Sequence, residues 1–343
     1  MVMRKINVNT WLRVAAIALG SVAMNVVQAQ DDTSFSLFDE PLAPVAEKVQ
    51  YAFKTTKVVN LQSLELIDPG VFDFKMSHRF GAMNGGAAAF NSEDAVNAFG
   101  FDVATIRFGG EYGVNENLMV GLGRYNVKSE KGVDAYVKYR LMHQTSDNKK
   151  PLSILLLGAV DYKNTQYDRT IMGIAGPVTI TWGIPGKQRL SYVGQVIVGK
   201  KVNDDFSWIL SPTVVVSGMS DRYDAGSESF VSSGTAKTQF ALGMGFRNKL
   251  SSRTSLNMEY IPILNGNGDF YNSFSVGFDV ETGGHVFQFD FTNSVGMNES
   301  MFITRNTDRW GAAGVRLGFN LHRVFTVVAR RVFNRFLHFA LRE

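Results

Sequence analysis

The fold is decided by the stretch Phe72-Asp73-Phe74-Lys75-Met76-Ser77-His78-Arg79-Phe80. In an extended chain, successive side chains point to opposite faces. One face therefore carries the apolar residues Phe72, Phe74, Met76 and Phe80, and the other carries Asp73, Lys75, Ser77 and Arg79. Strict alternation over nine residues predicts a β-strand that is apolar on one side only.

The same alternation recurs along the chain and predicts about twelve strands. Clear repeats lie at 104–114, 133–141, 239–247, 273–281, 287–292 and 313–321, and less regular ones at 118–127, 151–162, 189–200, 206–217 and 255–264. Strands of soluble β-sandwiches average about five or six residues. The longer runs here suit tilted strands that cross a bilayer, and an even strand number is usual for a bacterial barrel. We therefore expect an all-β protein, a transmembrane antiparallel up-and-down β-barrel.

The connections between the predicted strands alternate in length. Those after even strands are mostly short, whereas those after odd strands include 81–102, 163–188, 218–237 and 295–309. Outer-membrane barrels have short periplasmic turns and longer external loops. Both termini are thus predicted to lie in the periplasm. The apolar 163–188 loop either folds inward to constrict the lumen or forms a hairpin above the membrane.

The first residues predict export to the bacterial outer membrane. Arg4, Lys5 and Arg13 precede an apolar stretch at 14–27, and Val27-Gln28-Ala29 resembles a cleavage site. This layout is typical of a secretory signal peptide, which we expect to be cleaved after Ala29. Removing it lowers the formal charge from +4 to +1, so the basic pI does not indicate nucleic acid as a partner. The chain has no Cys, which excludes disulfides and thiolate catalysis.

Four regions are predicted from these patterns. Residues 1–29 form the signal peptide, and residues 30–70 form a periplasmic N-terminal segment or a partial plug. Residues 71–325 form the barrel. Residues 326–343 form a C-terminal tail in which Val328, Val332, Phe336 and Phe339 recur at helical spacing among arginines. This tail is predicted to be a basic amphipathic helix on the membrane surface or a frayed extension.

The predicted inner face of the barrel is charged. The candidate lumen-lining residues are Arg79, Arg107, Glu111, Lys138, Arg140, Arg247, Glu259, Asp290 and Arg316. Charged rings select solutes in channels, so one interpretation is a porin-like passage for small polar solutes. Small barrels are also packed by their own side chains, so the other interpretation is a sealed structural or interaction barrel that binds a partner through its outer loops.

Several segments resemble a known family. Residues 70–81 (GVFDFKMSHRFG), with 106–109 (IRFG), 136–139 (YVKY) and 318–321 (GFNL), resemble an uncharacterised β-barrel family of Bacteroidota envelopes. The similarity runs from about Phe53 to Phe325 and implies the fold and location, but no activity and no functional residues. Residues 318–325 also resemble the terminal strand signal read by the outer-membrane assembly machinery, which is an expected partner together with outer-membrane lipid.

The remaining motifs give no chemical site. A membrane-embedded lipid hydrolase would need a Ser-His pair, yet Ser77 and His78 are adjacent on a strand and face opposite sides. The five histidines lack the spacing of a metal site, and neither glycine-rich stretch, 85–89 or 265–269, has the spacing of a phosphate-binding loop. Residues 265–269 could bind Ca²⁺ through oxygen ligands, but their composition favours a hairpin turn. We expect no catalytic residues, no metal, no cofactor and no enzymatic activity.

Overall fold

A computed structural model of the chain describes residues 46–83, 100–127, 130–164, 167–173, 176–182, 186–218, 221–224, 229–232, 237–266, 270–312 and 314–327. The predicted signal peptide, residues 30–45 and the tail from residue 328 onward lie outside these ranges. Within them, no helix is long and apolar enough to cross a membrane.

The described residues form mainly β-strands. They are β1 Val71–Ala82, β2 Thr105–Asn115, β3 Leu118–Val127, β4 Glu130–Met142, β5 Ser153–Lys163, β6 Tyr167–Gly173, β7 Gly176–Trp182, β8 Leu190–Lys201, β9 Phe206–Ser217, β10 Asp221–Asp224, β11 Ser229–Ser232, β12 Lys237–Lys249, β13 Thr254–Ile261, β14 Ser273–Thr282, β15 His285–Thr292 and β16 Arg316–Thr326. The short helix α1 spans Glu299–Thr304, and 3-10 turns span Gly186–Arg189 and Trp310–Ala312.

Twelve of these strands close into one antiparallel barrel, in the order β1-β2-β3-β4-β5-β8-β9-β12-β13-β14-β15-β16 and back to β1. Closure is made by β1 and β16, whose register starts with Val71 opposite Thr326. The predicted transmembrane up-and-down barrel is thereby confirmed. Two further hairpins, β6–β7 and β10–β11, form separate two-stranded sheets within the long connections, so the 163–188 loop contains a hairpin of its own.

The outer face of the barrel is an apolar belt. Leu122 is 64% exposed and Phe289 is 54% exposed, and Val133, Tyr139 and Phe240 are exposed as well. A continuous apolar surface of this kind is unfavourable in water and suits the acyl chains of a bilayer. At the rim, the guanidinium of Arg323 lies 5.0 Å from the ring centre of Phe325, as expected where an aromatic girdle meets polar headgroups.

The inner face has two different halves. The strands around the β1–β16 closure and β2–β4 carry buried charged residues, as the alternation predicts. On β5, β8 and β9, by contrast, Leu155, Ile197 and Ile209 also face inward and are fully buried. These strands carry apolar residues on both faces, with polar residues such as Asp161 and Ser211 between the inward apolar ones, so their sequences alternate less regularly.

Glycines on the wall make room for large inward side chains. A Cβ added to Gly121 would lie 2.2 Å from Cζ of Tyr136, whose buried hydroxyl donates to Glu111. On the outer face, a Cβ added to Gly158 would meet nothing within 4 Å.

We therefore predict that Gly121→Ala lowers the apparent melting temperature of the detergent-solubilised barrel, because overpacking costs about 1–3 kcal/mol. Circular dichroism during heating measures it, with Gly158→Ala as the matched control that leaves the temperature unchanged. Equal melting of the two variants would show that Tyr136 does not lie over Gly121.

Candidate functional site

The candidate site is the barrel lumen, which is occupied by the chain itself. The terminal mouth is defined here as the end of the barrel where β1 begins and β16 ends. Residues 51–67, named the plug, enter the lumen at this mouth and return to it, since Tyr51 and Ile67 line one cavity together with Val71 and Thr326 and most residues between them are buried. On the way out, the amide of Gly70 donates to the carbonyl of Gly113 on β2 (2.9 Å).

Residues 46–50 fix the entrance of the plug to the rim of the terminal mouth. The amide of Val49 donates to the carbonyl of Gln144 (2.9 Å), and Lys48 forms an ion pair with Glu116 (2.8 Å). His143 Nε2 bonds to the carbonyl oxygen of Val49 (2.8 Å). Burial and the nearby Arg140 lower the pKa of His143 to about 4, so the ring is neutral at pH 7 and donates this bond as N–H.

Inside the lumen the plug forms a tight hairpin. The amide of Val58 donates to the carbonyl of Leu61 (2.7 Å), and the amide of Ser63 donates to the carbonyl of Thr56 (2.9 Å). The hydroxyl of Ser63 also donates to the carbonyl of Thr55 (2.6 Å). These bonds satisfy many of the plug's own peptide groups, but they leave the amides at its tip pointing at the wall.

Glu259 on β13 receives the tip of the plug. Its carboxylate accepts the backbone N–H groups of Val59 (3.1 Å), Asn60 (3.0 Å) and Leu61 (2.9 Å). Glu259 is 1% exposed, and within the described ranges no lysine or arginine forms an ion pair with it. Three converging backbone N–H groups therefore stabilise the buried carboxylate of Glu259. Successive backbone N–H groups bind anions in the same way in the concave sites called nests.

The side chain of Asn60 fixes the tip from a second side. Its amide nitrogen donates to Ser275 Oγ (3.1 Å), and its oxygen accepts from Arg79 Nη2 (3.1 Å). Arg79 is itself paired with Asp290 (3.2 Å). All of these groups are buried. The one side chain of Asn60 therefore contacts two separate strands, β14 and β1, and Arg79 links it onward to Asp290 on β15.

The arms of the plug are held by cations on the wall. Lys138 Nζ donates to the carbonyl oxygens of Thr56 (3.2 Å) and Glu65 (2.8 Å). Arg140 Nη2 donates to the carbonyl of Leu64 (2.9 Å), and Arg247 Nη1 donates to that of Ala52 (3.2 Å). These three cations form no ion pair with a carboxylate among the residues that the structure describes, and the plug's carbonyl oxygens are their partners.

Other predicted lumen residues pair with one another. Glu111 accepts from Lys75 (2.6 Å) and from the hydroxyl of Thr56 in the plug (2.6 Å). Arg107 donates to both oxygens of Asp134 (2.9 and 2.5 Å), and its guanidinium lies over Gly109 and Gly123. Charge-assisted bidentate hydrogen bonds of this kind are stronger than neutral ones, so Arg107 and Asp134 satisfy each other within the wall and do not need the plug.

The apolar half of the lumen packs against the apolar residues of the plug. Phe53, Val58, Leu61 and Leu64 are each at most 3% exposed. They belong to one buried cluster with wall residues on β5, β8, β9, β12 and β13, which are Leu155, Leu157, Val193, Ile197, Ile209, Val215, Ala241 and Ile261. The interior is therefore packed like a protein core rather than filled with water.

A second segment closes the lumen from the other end. Residues 293–306, named the loop insertion, contain α1 and are buried throughout. Ser300 Oγ donates to Asp161 on β5 (2.7 Å), and Arg305 forms an ion pair with Glu130 on β4. Lys57 Nζ of the plug donates to the carbonyl of Met297 (3.0 Å). The plug and the loop insertion thus meet inside the barrel.

All nine candidate lumen residues lie on the inner face. Arg79, Arg107, Glu111, Lys138, Arg247, Glu259, Asp290 and Arg316 are at most 4% exposed, and Arg140 is half-buried. The wall of a water-filled pore would be exposed to solvent. At the level of these residues, the lumen of this structure is closed. Sequence patterns identified the wall but not its partners in the plug.

No chemical centre assembles in the described part of the chain. His322 Nδ1 contacts Asp73 (3.3 Å), while His78 and His285 contact aromatic rings, so no Ser-His pair forms among these residues. No group of three metal-ligating side chains occurs there either. The side chain of Asn265 bonds to β12 backbone at Phe240 and Thr238, whereas residues 267–269 lie outside the described ranges.

These features define a class of protein: a membrane-bound β-barrel with an internal plug. The chain belongs to the family described as "Membrane bound beta barrel domain (DUF5777)", whose model matches residues 53–325. The match begins within the plug, so the plug is part of the family's domain. It confirms the predicted membership of an uncharacterised β-barrel family. No curated protein matches the chain.

Several solved barrel structures are similar in overall shape. The KdgM porin in complex with disordered oligogalacturonate is 8% identical, with 74% of this chain and 99% of that chain covered and a TM-score of 0.43. The COG4313 outer membrane channel from Pseudomonas putida F1 is 12% identical, with 76% and 97% covered and a TM-score of 0.40. The translocator domain of autotransporter NalP from Neisseria meningitidis is 12% identical, with 76% and 90% covered and a TM-score of 0.40. These likenesses are too distant to indicate an activity.

We predict that Glu259→Gln loosens the tip of the plug. The neutral amide is a weaker acceptor for three buried N–H groups. Hydrogen exchange at Val59–Leu61 should become at least about tenfold faster, which corresponds to about 1.4 kcal/mol. Mass spectrometry of the peptide that contains these residues measures it. Glu47→Gln, which changes an exposed carboxylate before the plug, serves as the control. Unchanged exchange in Glu259→Gln would show that the carboxylate does not hold the tip.

Proposed function

We propose that the protein is a gated passage for small polar solutes in the bacterial outer membrane, closed at rest by its own N-terminal plug. The N-terminal signal peptide directs export, and the terminal mouth faces the periplasm. Passage requires that residues 51–67 leave the lumen. The proposed role is transport rather than catalysis.

The observation that carries this proposal is a set of three wall cations whose hydrogen-bond acceptors, within the described residues, are carbonyl oxygens of the plug. Lys138, Arg140 and Arg247 bind carbonyl oxygens of the plug and no carboxylate within the described residues. A buried charge without a counter-ion is costly in a permanently closed core. In water the same charges are stable, and a charged lining selects solutes. The charged wall is therefore suited to a lumen that fills with water when the plug leaves it.

The path of the plug also supports opening. It enters and leaves at the same mouth, so it can withdraw as a hairpin without threading through the barrel. Glycines on the wall leave space for the side chains of the plug. A Cβ added to Gly243 would lie 2.7 Å from the side chain of Leu61, and one added to Gly277 would lie 2.9 Å from that of Val59. The plug is held by hydrogen bonds and packing, and the chain has no Cys with which to fix it covalently.

A sealed interaction barrel is the second candidate, and the apolar half of the lumen favours it. Withdrawal of the plug would expose Leu155, Ile197 and Ile209 to water. Exposure costs a free energy of about 25 cal/mol for each Å² of apolar surface. In that case the plug is a permanent part of the core, and partners bind the outer loops.

Conductance in planar lipid bilayers distinguishes the two candidates. We predict that the wild-type protein is mostly silent and that Glu259→Ala, which removes the acceptor of three plug amides, produces channel openings. A cysteine pair tests the mechanism, because Asn60 and Ser275 are in hydrogen-bond contact. In the Glu259→Ala background, oxidised Asn60→Cys/Ser275→Cys should close the channel, and reduction should reopen it. Silence of every well-folded variant would contradict gating and favour the sealed barrel.

A further inference from the structure

A cavity of about 360 Å³ lies between the plug and the wall at the terminal mouth. It is named the vestibule here. The plug contributes Tyr51, Lys54 and Glu65, and the wall contributes Asp73, Glu281 and His322. Its volume is within the range of small-molecule sites, which are concave and lined by a few placed polar groups.

The lining of the vestibule is acidic. Glu65, Asp68, Asp73 and Glu281 line it, against a single lysine, Lys54. Lys54 is already paired with Glu281. Among the residues that line the cavity, carboxylates therefore outnumber cations, which favours a cationic ligand over an anionic one.

Asp73 is the group most in need of a partner. It is 3% exposed, and its Oδ2 contacts His322 Nδ1 (3.3 Å) and Lys75 Nζ (3.8 Å). Its Oδ1 is buried and has no hydrogen-bond partner among the described residues. A buried acceptor without a donor costs about 1–3 kcal/mol, so a ligand that donates to Oδ1 would recover that energy.

An aromatic ring, that of Tyr51, lies at the opening of the vestibule. Tyr51 lines the cavity and is 74% exposed. Its backbone has φ of 58°, a left-handed conformation that is unfavourable for a residue with a bulky side chain. Strained residues concentrate at functional sites. The face of a tyrosine ring attracts cations, so the ring and the carboxylates favour the same type of ligand.

We propose that the vestibule binds a small organic cation that carries ammonium or guanidinium groups, with Asp73 as its main acceptor. The ligand lies between plug and wall and contacts both. This site goes beyond the proposed passage: it exists with the plug in place and requires no movement of the plug.

Isothermal titration calorimetry on the full detergent-solubilised protein at low salt tests the site, with 1,4-diaminobutane as the probe. The neutral 1,4-butanediol and the anionic succinate are the matched ligands. Since charge-assisted hydrogen bonds are the stronger ones, the diamine should bind at least about tenfold more tightly than the diol. Succinate should not bind. No heat from the diamine, or equal binding of diamine and diol, would overturn the proposal.

Variants locate the binding within the barrel. Asp73→Asn should weaken diamine binding at least about tenfold. Asp204→Asn, which removes an exposed carboxylate at a turn outside the cavity, should leave it unchanged. Tyr51→Ala, a change at an exposed position, should also weaken binding. Full affinity in both Asp73→Asn and Tyr51→Ala would place the diamine elsewhere and refute the site. Conductance is not needed for this result, so failure of the passage and failure of the site are distinguishable.

Discussion

The structure depends on the requirement that every peptide group removed from water must find a hydrogen-bond partner. In the wall, this requirement is met by closure, because β16 pairs with β1 and leaves no free edge. Inside the lumen, the same requirement applies to the plug, whose peptide groups pair in part with one another and otherwise need partners on the wall. Glu259 supplies one carboxylate for three amides, and Lys138 supplies donors for two carbonyls. Charged side chains of the wall therefore supply the hydrogen bonds to the plug backbone that neighbouring strands supply to each other within the barrel.

The two segments inside the barrel form one connected interior. The plug contacts the loop insertion through Lys57 and the carbonyl of Met297, and Phe302 and Ile303 of α1 belong to the same buried cluster as Leu61. A change in the loop insertion therefore has a direct physical route to the plug.

The strands could be predicted from the sequence, but the contents of the lumen could not. Alternation at 72–80 correctly placed Asp73, Lys75 and Arg79 inside, because one face of that strand meets lipid and the other does not. On β5 the alternation does not show which side chains point inward, because Leu155, which points inward, and Leu156, which points outward, are both apolar. The plug sequence, Tyr51 to Glu65, predicts neither a strand nor a helix. Its position is set by partners such as Glu259, which lies about two hundred residues away in the chain.

Thiol accessibility on the lumen wall tests most directly whether the interior is closed. The natural chain has no cysteine, so one can be introduced at Ser211, which is fully buried on the inner face of β9, and another at the exposed turn residue Ser252. A filled lumen predicts that a water-soluble thiol reagent modifies Ser211→Cys at least about a hundredfold more slowly than Ser252→Cys. Rates within about tenfold of each other would show a water-filled lumen and contradict a plugged barrel.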